Sequence, residues 1–107
     1  MEHESKWVRR KILLILKARD PHYVTDDELF VMLRDQGVTL DARDLSRELT
    51  FLANYPEFGN NGRGYIHMVE VPAKRLIPRG FKSCITPRGL NLLDPSTPDT
   101  DDCVAEF

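Results

Sequence analysis

The stretch from residue 26 to 54, DDELFVMLRDQGVTLDARDLSRELTFLAN, decides how the rest of the chain is read. Its apolar residues recur at helical spacing on both sides of a break at Gln36-Gly37-Val38-Thr39-Leu40. The first half predicts a helix with Leu29, Met32 and Leu33 turned inward. Thr25 and Glu28 have the spacing of a capping box, and the acids Asp26, Asp27 and Glu28 suit the positive end of the helix dipole. Gly37 closes that helix, where a left-handed backbone is tolerated. The second half predicts a helix over 41–54, capped by Asp41, with Leu45, Leu49 and Leu52 as its core stripe. Arg43, Arg47, Thr50 and Asn54 fall on a different face. Pro56 stops it.

Upstream, residues 5–18 predict a helix capped by Ser5. Val8, Ile12, Ile15 and Leu16 form its inward stripe, with Trp7 alongside. Lys6, Arg9, Arg10 and Lys17 lie off that stripe, in solvent. Asp20-Pro21 ends the element, because a residue before proline avoids helical angles. His22-Tyr23-Val24 reads as a short extended piece.

Downstream, residues 56–64, PEFGNNGRG, carry turn chemistry. Tyr65 to Val71 predicts one strand and Phe81 to Thr86 its partner. The connection VPAKRLIPRG between them is too long for a tight hairpin, and Pro72 and Pro78 keep it irregular. Pro87 to Leu93 predicts a short closing helix, with Thr86 as cap and Pro87 at its first position. Residues 94–107 are acidic and proline-rich with little to bury, which predicts disorder.

The 107 residues suit one domain of modest core, here residues 1–93 with the acidic tail 94–107. No apolar run approaches the ~20 residues of a membrane span, and no secretion signal is evident at the start, so a cytoplasmic location is expected. Cys84 reads as a buried thiol and Cys103 as part of the tail, and no disulfide is expected between them. The net charge of −2 hides strong segregation. Residues 1–19 carry +4, residues 20–62 carry −6, residues 63–88 carry +5 and residues 89–107 carry −5. At a Debye length of ~8 Å such local charge, not the total, selects partners.

Helix, short strand, helix, turn, helix, then two strands resembles the winged helix-turn-helix plan. Two segments sharpen the likeness. Gly37 to Asp41 leading into Asp44-Leu45-Ser46-Arg47-Glu48-Leu49 is similar to the turn and recognition helix of bacterial winged-helix regulators. Ile85-Thr86-Pro87-Arg88-Gly89-Leu90 is similar to the leucine-threonine-x-x-glycine segment that closes the wing strand and opens a terminal helix in that superfamily. Small winged-helix proteins of Mu-like phages have a similar plan. The resemblance covers about residues 5–93. It implies an α+β fold: a three-helix core, a two- to three-stranded β wing and a short C-terminal helix. It also implies a transcriptional regulator of duplex DNA, with a homodimer as a further expectation. One departure stands out. Such regulators commonly have a basic recognition helix, whereas helix 41–54 holds two arginines against Asp41, Asp44 and Glu48.

On this reading Arg43, Ser46, Arg47 and Thr50 face the major groove. Lys74, Arg75, Arg79 and Lys82, within the basic segment 63–88, grip phosphates from the wing. The bland alternative for the first set is a solvated helix face with arginine–carboxylate pairs; for the second, a soluble loop or a patch that receives the acidic tail. Trp7 and Leu13, if exposed on the first helix, offer a surface for a second copy. The rival function is a protein-interaction module on the same fold, its acidic helix face meeting a partner through Asp27, Asp41 and Asp44. His3, His22, His67 and the two cysteines lack paired metal-ligand spacing. No glycine-rich phosphate loop or activated nucleophile is evident, so neither a cofactor nor an enzymatic activity is expected.

Overall fold

A computed structural model describes residues 2–53, 64–71 and 80–94, with side chains from Lys6 onward. The elements follow in the order α1 (Glu2–Arg19), β1 (Val24–Thr25), α2 (Asp26–Asp35), α3 (Ala42–Leu52), β2 (Ile66–Val71), β3 (Gly80–Ile85) and α4 (Pro87–Leu93). Among the described residues, four helices and one small antiparallel sheet make an α+β protein. The loop 56–63, the wing connection 72–79 and the tail beyond Asp94 lie outside the described residues, and with them Lys74, Arg75, Arg79 and Cys103.

α1 starts upstream of the expected Ser5 cap, at Glu2, and runs to Arg19. Ile12, Leu13 and Leu16 are fully buried, with Ile15 close behind. Leu13 is therefore core and not part of an exposed face. Arg10 is also buried, at 6% exposure, and Lys6 and Arg9 are half-buried, so of the four cations expected in solvent one, Lys17, is fully exposed. Burial pulls the Arg10 guanidinium below the ordinary arginine value. The physical reason is enclosure: α1 packs against α2, α3, α4 and β3, so its buried arc is wider than a single stripe.

α2 begins on Thr25, whose Oγ1 accepts from the Glu28 amide at 3.2 Å. The reciprocal arm differs from a capping box. Thr25 is itself a strand residue paired with Lys82, and its hydroxyl donates to Glu28 Oε1 at 3.3 Å instead. At the other end, Val38 N donates to Leu33 O at 2.8 Å and Gly37 N to Arg34 O at 3.0 Å, with Gly37 at φ 82°. These are the paired bonds of a Schellman ending, which demands a left-handed residue at Gly37. Asp41 Oδ1 then accepts from Asp44 N at 2.8 Å and opens α3. Leu45, Leu49 and Leu52 are buried.

The strand order is β1-β3-β2, antiparallel throughout. Two contacts tie the sheet to α3 across residues 54–63: Tyr65 N donates to Leu52 O at 2.9 Å, and Ala53 forms a parallel bridge with Ile66. Ser83, Ile85, Ile66, Met68 and Val24 point into the core, so the intervening positions point outward. Thr86 closes the sheet. Its hydroxyl donates to Gly64 O at 2.7 Å and accepts from Gly89 N at 3.1 Å, which caps α4. No helix among the described residues is long and apolar enough to cross a membrane.

Candidate nucleic-acid interface

α3 presents its solvent face through Arg43, Ser46 and Arg47, all exposed, with Thr50 half-buried beside them. Their spacing of three, four and seven from Arg43 makes one stripe along the helix. Arg47 Nη2 pairs with Asp44 Oδ1 at 3.1 Å, both side chains well exposed. Thr50 Oγ1 donates to Ser46 O at 2.8 Å, one turn back, which leaves the hydroxyl engaged with its own helix. Arg43 has no ion-pair partner among the described residues.

The acids of this helix are distributed unevenly around it. Asp41 is occupied as the cap, and Asp44 pairs with Arg47. Glu48 is turned away from solvent, at 8% exposure, and its Oε2 accepts from Arg9 Nε at 2.8 Å. The Arg9 guanidinium also stacks 3.8 Å from the centroid of the Phe51 ring. One α1 arginine thus holds an acid and an aromatic that stand three apart on α3. Reading Glu48 as a surface residue misses this. The signal is present in the sequence, because 45, 48, 49 and 52 together form a complete inward stripe.

Lys82 occupies a different place. It pairs with Thr25 on one side and Val69 on the other, in the body of the sheet. Its neighbours Phe81 and Ser83 belong to the inward parity, so Lys82 stands on the face turned away from the helices, exposed. Its ammonium lies 5.0 Å from the Tyr23 ring centroid. The structure therefore groups Arg43, Ser46, Arg47 and Thr50 on one surface and sets Lys82 on another.

A shallow, mainly apolar depression lies beside the inter-helix turn, lined by Phe30, Leu33, Arg34, Val38, Thr39 and Leu40. Asp26, at the start of α2, reaches across the molecule. Its Oδ2 accepts from Phe81 N at 3.2 Å, whereas Oδ1 is buried without a hydrogen-bond partner. Burial foremost, with Asp27 adding, raises its carboxyl above the usual aspartate range, against the opposing pull of the Phe81 amide. Among the described residues no cluster of His, Cys, Asp and Glu is arranged to hold a metal. No family model, curated protein or solved structure matches the chain.

Proposed function

We propose that the chain is a winged helix-turn-helix protein that binds duplex DNA, with α3 as the helix laid into the major groove and the basic segment after β2 as the wing. The observation that carries this reading is the sorting of charge around α3. Glu48, the acid nearest the middle of the helix, is drawn inward to Arg9, so the outward stripe offers arginines, a serine and a threonine. The acidic total of the helix thus overstates the repulsion that phosphates would meet. The element order and the sheet order β1-β3-β2 support the same reading.

The Arg47–Asp44 pair does not stand in the way. Exposed pairs of this kind contribute about 0.2–1 kcal/mol, and a phosphate oxygen offers Arg47 a replacement partner of the same sign. Arg43 needs no such exchange.

A protein-interaction module is the second reading. It is favoured by the apolar depression at Phe30, Val38 and Leu40, in the turn that runs into the exposed Asp41. A partner with basic and apolar groups would suit it.

Fluorescence anisotropy on a labelled random duplex, titrated over salt, separates the two. For the DNA reading, binding falls steeply with salt, and Arg43→Ala with Arg47→Ala lowers the slope of log K against log salt by about 1.8, near 0.9 for each phosphate no longer neutralised. If these arginines read bases instead, the slope holds while discrimination between duplexes is lost. Absence of binding at low salt would discard the DNA reading and leave the module.

A further inference from the structure

The sheet face turned away from the helices carries a group of side chains that neither the α3 surface nor the core uses. Tyr23, just before β1, is 40% exposed. Lys82 stands over its ring, and His67 on β2 lies at a ring separation of 6.1 Å on a tilt of 60°. Cys84, paired with His67, is half-buried on the central strand of the same face. Half-buried Val69 extends this floor beside Lys82. Alternation along β1, β2 and β3 places no acidic strand residue on this face among the described residues; one acid, Glu28, reaches its margin from α2 through the Thr25 hydroxyl at 3.3 Å. It offers an ammonium, an imidazole and a phenol over an apolar floor, and Lys82 makes no ion pair among the described residues.

The chain itself carries the complement. Residues 95–107 hold Asp99, Asp101, Asp102 and Glu106 and no base. They also hold Val104 and Phe107, apolar groups suited to such a floor. The reach is ample. α4 is 7 residues long, about 10 Å, and it starts a few residues after Cys84. Thirteen extended residues then span about 43 Å. One edge of the sheet, β1, is only 2 residues long.

We propose that the outer sheet face formed by Tyr23, His67, Lys82 and Cys84 is an intramolecular docking surface for the acidic segment 95–107. The contact is electrostatic at Lys82 and apolar at Val69, and it leaves the α3 face uncovered. It does not depend on DNA binding.

Cys103 provides the probe. In a Cys84→Ser chain, which keeps a hydroxyl beside Tyr23, a nitroxide on Cys103 is expected to cause loss of amide intensity at Tyr23, His67 and Lys82. Lys82→Glu, or ~1 M salt where the Debye length falls to ~3 Å, restores that intensity. Uniform loss, loss confined to residues 72–79 or to α3, or no loss overturns the proposal. Mixing nitroxide-bearing unlabelled chains with isotope-labelled chains lacking the nitroxide tests for a second copy. If the effect appears in the mixture, the segment serves another molecule and the intramolecular assignment is wrong. Independently, Asp99→Asn, Asp101→Asn, Asp102→Asn and Glu106→Gln combined, with both cysteines intact, should shift the His67, Lys82 and Cys84 amides. Unmoved amides there would also overturn it.

Discussion

Arg9 Nε and Glu48 Oε2 meet at 2.8 Å although 39 residues separate them in the chain, and their side chains are only 17% and 11% exposed. This pair, with Phe51 stacked on the same guanidinium, couples the angle of α3 to α1. Removing one partner strands the other in a poorly hydrated place. Arg9→Ala and Glu48→Ala should each lower unfolding free energy, with about 3 kcal/mol as the scale for breaking an enclosed pair. The double change Arg9→Met with Glu48→Leu should lose much less, since no charge is then left uncompensated. Urea titrations of the three variants check this. A double variant no more stable than the single ones would show that the pair matters for something other than its charge balance.

Thr86 and Gly89 make the second prediction. A methyl group at Gly89 would run into the Tyr65 carbonyl oxygen and come within 2.8 Å of Ile85 Cγ1. The backbone oxygen cannot step aside, because it accepts from Thr86 N at 3.1 Å. Gly89→Ala should therefore destabilise the junction of sheet and α4, despite the better helix propensity of alanine. Thr86→Ala removes the cap and the bond to Gly64 O together, at a cost of about 0.5–2 kcal/mol for the cap alone. Thermal unfolding of both variants is the measurement. An unchanged or raised midpoint in Gly89→Ala would contradict the packing at Tyr65.

Much of this architecture is legible in the sequence. The i, i+4, i+7 leucines of α3, the Asp41 and Thr86 caps and the Gly37 ending follow local rules, and local rules act over a few residues of chain. The features that escape the sequence depend on what packs from afar. Arg9 and Arg10 look solvated when α1 is judged by one stripe, whereas four elements enclose it. Glu48 looks like surface because its partner lies 39 residues away. Lys82 falls in with the wing by proximity in sequence. The pairing Val69↔Lys82 shows it two rungs from the end of the hairpin ladder at Val71↔Gly80, on the outer side of the sheet.

Ser83 supplies the third prediction. It is fully buried on the central strand, between Val24 and Met68, and its Oγ has no hydrogen-bond partner. A buried hydroxyl without a partner costs about 1–3 kcal/mol relative to one that is paired. Ser83→Ala deletes only that oxygen, so it should be neutral or stabilising, in contrast to most core substitutions. A clear loss of stability, measured by urea unfolding, would mean that the hydroxyl makes a bond through water.

Asp26 gives the pH prediction. Its carboxyl is raised in the folded chain by burial above all, so the native state holds the proton more tightly than the unfolded chain does. Stability then falls as pH rises from the ordinary aspartate value through the raised one, and the loss is complete above it. Asp26→Asn keeps an oxygen to accept from Phe81 N and has no proton to lose. Its stability relative to the parent should therefore improve with rising pH across that window and level off beyond it. The test is the slope of the difference between the two chains, measured by urea unfolding at a series of pH values. A difference that is flat with pH would show that the Phe81 amide cancels burial at this carboxylate, and one that turns against the asparagine as pH rises would show that the amide outweighs it.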